Sequence, residues 1–326
     1  MKDVFICHTP YHVYIACVKR MVAPQGECAA WLADTIPGWQ ALQERLTQSG
    51  IFTQVMGFDR LSVFPRRVAR AYVPMWLYAR THPRRMRAFL NAHVGAQDRL
   101  IFSNDYTALG AVVQSAGRPY FLLEDSRDTF ARVNDAIGKA KPLKRLLYKV
   151  VGVPYMIGQS PLCRELEVHN AAIVRTPFAC PIREQNRDVL IARLTPEQIG
   201  QIQALFQLTL TLTGERKRLL LLTQPLIVMG LASDAADTLR FYERMLLPNR
   251  AEYDIYIKPH PRDAADYTRL SPPCAGILDR AVPVEILNFM PGVRFALGLT
   301  YDSTSVNGLT VCERVVRARA EAPAQR

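Results

Sequence analysis

Apolar positions in this chain form short runs that alternate with longer segments of helical periodicity. Residues 3–7 contain the run Val4, Phe5 and Ile6, which predicts a strand buried on both faces. A His-Thr-Pro loop follows, and residues 11–21 then place apolar side chains at helical spacing. A strand, a tight loop and a helix predict the opening of a Rossmann-like unit. A GxGxxG motif is missing here, so no dinucleotide site is expected.

The same alternation continues through the first half of the chain. Strands are predicted at residues 29–33, 52–57, 99–103 and 120–123, and helices at residues 39–49 and 108–115. Residues 65–90 predict two helices broken near Pro74 and Pro83, because proline lacks the N–H that a helix interior needs. Residues 143–151 predict a further helix that is both basic and apolar.

A second series follows residues 173–181, which predict an interdomain link. Strands are predicted at residues 219–222, 253–257, 275–278 and 295–299, and helices from Thr195 and at 234–247, the latter capped by Ser233 or Asp234. Two successive series predict an α/β fold of two Rossmann-like domains with a cleft between them. The predicted domains are residues 1–180 and 181–312, followed by an Ala/Arg-rich tail at 313–326.

Composition narrows the class of protein. The chain is 49% hydrophobic and 21% charged, which is typical of a globular protein. Its apolar runs are shorter than the roughly 18–20 residues that a spanning helix needs, and the first is too short for a signal peptide. Seven cysteines without a CxxC pair argue against a disulfide framework or a structural zinc site, and favour a reducing cytoplasm.

The net charge of +12 predicts an anionic partner. Eight arginines lie between Arg60 and Arg87 without an acidic residue, interleaved with aromatic side chains. Such a segment can lie on an anionic inner membrane surface, which would make the protein cytoplasmic and peripheral. The alternative is a pair of ordinary helices with arginines on the solvent face. A basic nucleic-acid-binding protein is also possible by charge, although no RNA or DNA module is recognisable.

Polar side chains follow several of the predicted strands in the first half. His8, Thr9 and His12 follow the first strand, and Asn104 and Asp105 follow the strand at 99–103. Ligands of such sheets bind outside the carboxyl ends of the strands, so these side chains are candidates for an acceptor-side cleft.

The strand at 120–123 runs directly into Glu124 and Asp125. Two carboxylates at this position suit acid–base chemistry or metal binding. The alternative is a solvated loop that caps a helix.

The second half places a stiff basic loop after the strand at 253–257. In Lys258-Pro259-His260-Pro261-Arg262, two prolines hold a titratable imidazole close to two cations. This set suits a substrate with a phosphate leaving group, which the histidine would protonate or stabilise. Gln224, Glu285 and Ser303-Thr304-Ser305 are further candidates near strand ends for binding a ribose and a phosphate.

The order of these motifs resembles bacterial sialyltransferases. An acidic pair, Lys-Pro-His-Pro, Pro-Val-Glu-Ile-Leu and Ser-Thr-Ser follow one another along the chain. Phe-Ile-Cys-His-Thr-Pro at 5–10 and Thr-Gln-Pro-Leu at 223–226 are most similar to glycosyltransferase family 52, the lipooligosaccharide sialyltransferases. The resemblance implies a GT-B fold, CMP-sialic acid as the donor, inversion at the anomeric carbon, and no cofactor or metal.

The resemblance also implies roles and partners. Asp125 would be the catalytic base and His260 the acid or phosphate stabiliser. CMP would be held by Lys258, Gln224, Glu285, Ser303, Thr304 and Ser305. The partners would be a nucleotide-sugar donor, a glycan or glycolipid acceptor of lipooligosaccharide or capsule, the inner membrane surface and a second copy in a homodimer, but not nucleic acid. Another nucleotide-sugar or glycerophosphate transferase on the same fold is an alternative.

Two features depart from the family pattern. The acidic motif ends in Ser126 where the family has glycine, and a serine would be strained if the turn needs positive φ. The chain also ends soon after the Ser/Thr motif, without the closing helices expected of a GT-B domain. A strained serine would displace Asp125, and a truncated or altered end would leave the enzyme weak or inactive.

Overall fold

Two sheets, each with all of its strands parallel, organise the computed structural model of the protein. The structure describes residues 1–127, 129–130, 142, 146, 148, 150, 154, 157–175, 177–271 and 273–318. Contacts divide the chain into one unit at Met1–Gln201 and a second at Ile202–Arg326. The boundary predicted after residue 180 falls inside the first unit, because the strand at Ile182–Glu184 pairs within the first sheet.

The first unit has seven described strands in the order β3-β2-β1-β4-β5-β6-β7. They are β1 (Lys2–Cys7), β2 (Glu27–Ala33), β3 (Gln54–Phe58), β4 (Arg99–Phe102), β5 (Tyr120–Leu123), β6 (Cys163–Val168) and β7 (Ile182–Glu184). The α-helices whose bounds are described are α1 (Pro10–Val22), α2 (Trp39–Gln48), α3 (Tyr72–Thr81), α4 (Pro83–Asn91), α5 (Ala108–Ser115), α6 (Arg187–Ile191) and α7 (Pro196–Phe206). The division between the units falls within α7.

The strand order reverses at β1, which lies between β2 and β4. In a doubly wound parallel sheet this reversal opens a crevice at the carboxyl ends of the strands. The loops after β1, β4 and β5 therefore meet at one edge of the first sheet, as the sequence predicts.

The arginine-rich segment forms ordinary amphipathic helices. Met75 and Trp76 of α3 and Met86 and Leu90 of α4 pack into the core of the first unit, and the arginines of both helices face solvent. Arginines on the solvent face are expected both for ordinary helices and for helices that lie on a membrane, so the membrane interpretation stays a prediction. Because Met75 and Trp76 are buried in this core, their side chains are not available for contact with a membrane.

The predicted break of the first helix at Pro74 is wrong. Pro74 is the third residue of α3, where the backbone N–H has no partner within the helix, so the proline is tolerated. Pro83 does begin the next helix, α4. Apart from residues 146, 148 and 150, the basic helix predicted at 143–151 lies outside the described residues.

The second unit has a five-stranded sheet in the order β10-β9-β8-β11-β12. Its elements are β8 (Lys217–Leu222), α8 (Ala235–Leu246), β9 (Tyr253–Lys258), β10 (Gly276–Ile277), a 3-10 helix at Val284–Phe289, β11 (Phe295–Thr300), a 3-10 helix at Thr304–Gly308 and β12 (Cys312–Arg317). Asp234 caps α8, with its side chain accepting the backbone N–H of Asp237. Two parallel sheets with helical connections confirm the predicted α/β class with two Rossmann-like domains.

The start of the predicted Ala/Arg-rich tail is part of the second sheet. Residues 312–317 form β12, which pairs in parallel with β11, and residues 319–326 lie outside the described residues. Among the described helices of both units, none combines the length and the apolar character that crossing a membrane requires.

A close backbone contact at the start of α5 generates a stability prediction. A Cβ atom at Gly110 would lie 1.9 Å from the carbonyl oxygen of Asp105, whereas a Cβ atom at Gly200 in α7 meets nothing within 4 Å. We expect Gly110→Ala to lower the free energy of unfolding by about 1–3 kcal/mol. The matched Gly200→Ala should raise it by roughly 0.5–1 kcal/mol, because alanine favours helices.

Chemical denaturation followed by circular dichroism measures both effects. Equal behaviour of the two variants would show that the loop after β4 does not approach α5 this closely.

Candidate functional sites of the two units

A buried histidine holds the carboxylate that follows β5. His12 lies in the first turn of α1, which Thr9 caps by accepting the His12 backbone N–H at 3.2 Å. The Nε2 atom of His12 lies 2.6 Å from Oδ1 of Asp125, and the His12 side chain is 1% exposed. The helix that opens the Rossmann-like unit therefore fixes one oxygen of the candidate base.

The protonation of the His12 ring follows from its other nitrogen. The backbone N–H of His8 donates to Nδ1 of His12 at 3.1 Å. A ring nitrogen that accepts a hydrogen bond carries no proton, so the proton of the neutral ring is on Nε2. The Nε2–H group of His12 therefore donates to Asp125.

Asp125 keeps an accessible, ionised carboxylate. Its side chain is 30% exposed, and Oδ2 lies 3.4 Å from the Nδ2 group of Asn104. Burial alone would raise the pKa of Asp125, but the hydrogen bond from His12, with smaller electrostatic contributions from His12, His8 and Arg187, lowers the pKa below its usual value. The carboxylate of Asp125 is therefore ionised at neutral pH.

His8 supports this arrangement from the loop after β1. Its Nε2 atom lies 3.1 Å from the hydroxyl of Thr107, and Thr35 donates to its backbone carbonyl at 2.9 Å. Burial, and then the neighbouring His12, lower the pKa of His8 to about 3. His8 is therefore neutral at pH 7. Its contacts with Thr107 and Thr35 hold the residue in place, and with it the backbone N–H that donates to His12.

The other two candidate carboxylates of the first unit are tied to the backbone. Glu124 is 1% exposed and accepts the backbone N–H of His169 at 2.7 Å. Asp105 is 2% exposed and accepts the Tyr120 hydroxyl at 2.5 Å and the Gly158 N–H at 3.1 Å. Burial raises the pKa of Asp105 to about 6. Both side chains hold loops together, and Asp125 is the member of the set that solvent reaches.

Arg187 is a buried cation at this edge that the sequence did not reveal. It opens α6, is 4% exposed, and donates to the Tyr11 hydroxyl at 2.6 Å and to the backbone carbonyl of Glu124. Arg187 was not a candidate in the sequence analysis because it is far from Asp125 along the chain and the segment after residue 180 was expected in the other domain. The Asn186 cap before it was the available signal for a helix start.

Ser126 occupies the family's glycine position without backbone strain. Among the described non-glycine residues, Gln207 alone has positive φ. The hydroxyl of Thr129 donates to the Ser126 carbonyl at 2.8 Å and accepts its N–H at 2.8 Å. The concern that serine would displace Asp125 therefore does not apply.

In the second unit, a threonine joins the loops after β8 and β9. The backbone N–H of His260 donates to the Thr223 hydroxyl at 3.0 Å, and this hydroxyl donates to Oδ2 of Asp263 at 2.8 Å. Asp263 is buried and also accepts the Tyr267 hydroxyl and the Ala265 N–H. The network fixes the backbone of His260 at the carboxyl edge of the sheet.

The His260 ring presents an N–H group rather than a charge. The backbone N–H of Arg262 donates to its Nδ1 atom at 3.1 Å, so the neutral ring carries its proton on Nε2. Burial, followed by the charges of Arg262 and Lys258, lowers the pKa of His260 to about 4. At neutral pH the group is a hydrogen-bond donor and is not charged.

Lys258 is buried beneath the same loop. It is 5% exposed, and its ammonium group donates to the carbonyls of Pro259 at 2.7 Å and Arg280 at 3.3 Å. Burial lowers the pKa of Lys258 to about 8, and the charge of Glu285 opposes this shift. Lys258 therefore joins the loops after β9 and β10, and its effect on a ligand would come from its charge.

The Ser/Thr motif is anchored to β8. Ser303 is buried and caps a short 3-10 helix by accepting the Ser305 N–H at 3.3 Å, while Thr304 and Ser305 are half-buried. The Ser303 N–H donates to the hydroxyl of Thr300, which donates to the Leu222 carbonyl.

Gln224, after β8, is also buried, and its backbone N–H donates to the Tyr242 hydroxyl at 2.5 Å. The donor-side candidates thus lie in the loops after β8, β9 and β11 and in the 3-10 helix of Glu285. Their binding role stays a prediction.

A cavity of about 210 Å³ lies elsewhere in the first unit, on the sheet face next to α1. Six of its charged lining residues form ion pairs: Lys19 with Glu167, Arg183 with Glu165, and Arg99 with Asp3. Within the described residues, no set of three or more His, Cys, Asp or Glu side chains is grouped to hold a metal ion.

Comparison with solved structures places the fold. The UDP-N-acetylglucosamine 2-epimerase from Rickettsia bellii is 13% identical with a TM-score of 0.51, over 94% of this chain and 75% of that chain. The glycotransferase of kitacinnamycin is 13% identical with a TM-score of 0.42, over 98% and 86%.

At such identity, the first similarity supports the GT-B-type fold alone, and the second carries no weight. No protein-family model and no curated protein sequence matches this chain, so the resemblance to family 52 stays a prediction.

The two fixed imidazoles generate a spectroscopic prediction. Long-range ¹H–¹⁵N spectra at pH 7 should show His12 and His260 as Nε2–H tautomers. His93 is the internal control, because its Nδ1 lies 2.8 Å from the Phe89 carbonyl and must carry the proton. Asp125→Asn should shift the His12 signals and leave those of His93 in place. An Nδ1–H signal for His12 would contradict the hydrogen bond from His8.

Proposed function

We propose that the protein is an inverting glycosyltransferase that transfers sialic acid from CMP-sialic acid to a hydroxyl of a glycan or glycolipid. The observation that carries the proposal is Asp125, an ionised and accessible carboxylate that His12 holds at the carboxyl end of β5. A general base must be unprotonated at the working pH, accessible to the acceptor and fixed in direction.

In the proposed reaction, Asp125 accepts the proton of the acceptor hydroxyl. The acceptor oxygen attacks the anomeric carbon of the donor sugar as the bond from that carbon to the phosphate oxygen breaks. A single displacement inverts the configuration and releases the nucleoside monophosphate. Asn104, whose amide lies 3.4 Å from Oδ2 of Asp125, would help to orient the incoming hydroxyl.

The groups that we propose for the departing phosphate belong to the second unit. His260 would donate its Nε2–H to a phosphate oxygen, because a pKa of about 4 leaves little of the charged acid at neutral pH. Lys258 would add positive potential from beneath the loop. Of the two roles expected for His260, stabilisation of the phosphate is therefore favoured over protonation.

The first structural neighbour is named for a reaction of UDP-N-acetylglucosamine, which is also a nucleotide sugar. This supports a nucleotide-sugar substrate as the general class. It does not distinguish a CMP-linked donor from a UDP-linked or CDP-linked one, so the first experiment separates the nucleotides.

A panel of CMP, CDP, UMP and UDP tests the donor. We expect CMP to raise the melting temperature most, with or without magnesium, since a ligand at 100 times its Kd stabilises the folded state by about 2.7 kcal/mol. Thermal shift, confirmed by calorimetry, measures the effect. A preference for UDP or CDP, or a magnesium requirement, would indicate a donor other than CMP-sialic acid. If no nucleotide bound, the proposed function would be wrong.

Asp125→Asn tests the base. Asparagine can still accept from His12 but cannot take a proton, so we expect kcat for transfer from CMP-sialic acid to fall by about 10²–10⁴ while the CMP-induced thermal shift is unchanged. Asp188→Asn is the matched control, because Asp188 is 60% exposed and pairs with Arg127. Near-normal kcat in Asp125→Asn would place the base elsewhere.

A further inference from the structure

The surface around α3 and α4 carries positive charge without nearby acidic residues in the sequence. Between Arg60 and residue 97 the chain has no Asp or Glu. The exposed arginines of this segment are Arg66, Arg67, Arg70, Arg80, Arg84, Arg85 and Arg87. Arg60 is half-buried and is not part of this set. We call the seven exposed residues the arginine surface.

The arginine surface is fixed on a rigid support. Met86 and Leu90 of α4 are fully buried, which holds the other side of the helix, with Arg84, Arg85 and Arg87, toward solvent. An acidic partner would offset the positive charge of an arginine and weaken its attraction to an anion. Among the described ion pairs of the chain, none involves these three residues.

Tyr78 joins the parts of this surface. The ring of Phe64, in the segment that carries Arg66 and Arg67, lies 5.9 Å from the Tyr78 ring in an edge contact. Arg85 of α4 donates to the Tyr78 hydroxyl at 3.3 Å. The loop before α3, α3 itself and α4 therefore present their arginines from one packed substructure.

The chemistry between the arginines favours a bilayer over nucleic acid. Leu61 and Leu77 are 46% and 40% exposed in the same segment. Its aromatic rings are engaged: Phe64 and Trp76 are buried, and Tyr72 stacks on Tyr106. Proteins that bind single strands stack bases on open aromatic rings, and the described rings of this segment do not offer that platform.

We propose that the arginine surface binds the anionic headgroups of a phospholipid bilayer. Guanidinium groups form paired hydrogen bonds with phosphate oxygens, and several basic residues near an anionic surface add their attractions. The exposed leucines would enter the interfacial region, while the buried core of the helices stays in the protein. The attachment is peripheral and depends on salt, because ions screen charges beyond about 8–10 Å. This inference does not depend on the proposed reaction.

Vesicle flotation with the full-length chain tests the proposal. Vesicles of phosphatidylcholine with 30% phosphatidylglycerol should bind the protein, and vesicles of phosphatidylcholine alone should not. The variant Arg84→Glu/Arg85→Glu/Arg87→Glu should bind at least tenfold more weakly. The variant Arg164→Glu/Arg193→Glu/Arg244→Glu changes three exposed arginines elsewhere by the same charge, and it should stay within twofold of the parent.

Four results would overturn the inference. The first is that the parent protein does not bind anionic vesicles, and the second is that both triple variants lose vesicle binding equally. The third is vesicle binding that 0.5 M salt does not weaken. The fourth is that the parent protein binds a duplex or single-stranded oligonucleotide more tightly than vesicles, and that of the two triple variants only the α4 variant loses this oligonucleotide binding. Circular dichroism checks that each variant is folded. Should the α4 variant not fold, Arg66→Glu/Arg67→Glu/Arg70→Glu changes the adjacent loop and carries the same expectation.

Discussion

A backbone N–H donated into a histidine ring is the interaction on which both candidate sites depend. His8 donates to Nδ1 of His12 in the first unit, and Arg262 donates to Nδ1 of His260 in the second. Each bond removes one tautomer and turns Nε2 into a directed donor. In the first unit that donor orients Asp125, and in the second it is available to a ligand. The loops that follow the parallel strands thus determine protonation through their backbone geometry.

The fold and the location of the sites followed from the sequence because both depend on local patterns. Buried strands of the kind at Val4 to Ile6 alternate with helices, and such alternation gives parallel sheets with one functional edge. The positions of Asp125 and His260 beyond their strands were predictable for this reason. The strand predicted at 275–278 is present as the two-residue β10, whereas β12 lies in a segment that was expected to be an Ala/Arg-rich tail.

The roles of individual side chains were less predictable because they depend on packing between distant segments. Glu124 and Asp125 are equivalent in the sequence, but successive residues of an extended chain face opposite ways, and Glu124 is 1% exposed. Arg187 follows β7, which pairs with β6 in the first sheet, although the segment after residue 180 was expected in the other domain. In the segment of α3 and α4, helical periodicity could not distinguish an apolar face that packs on a sheet from one that meets lipid.

The hydrogen bond between His12 and Asp125 also has a consequence for selectivity. A free carboxylate can take a proton at either of two oxygens, from several directions. His12 takes one acceptor site of Oδ1, which favours approach to Oδ2, next to Asn104. In the proposed reaction, the hydroxyl that the bound orientation directs to Oδ2 would react first, so the geometry of the proposed base would influence regiochemistry as well as rate.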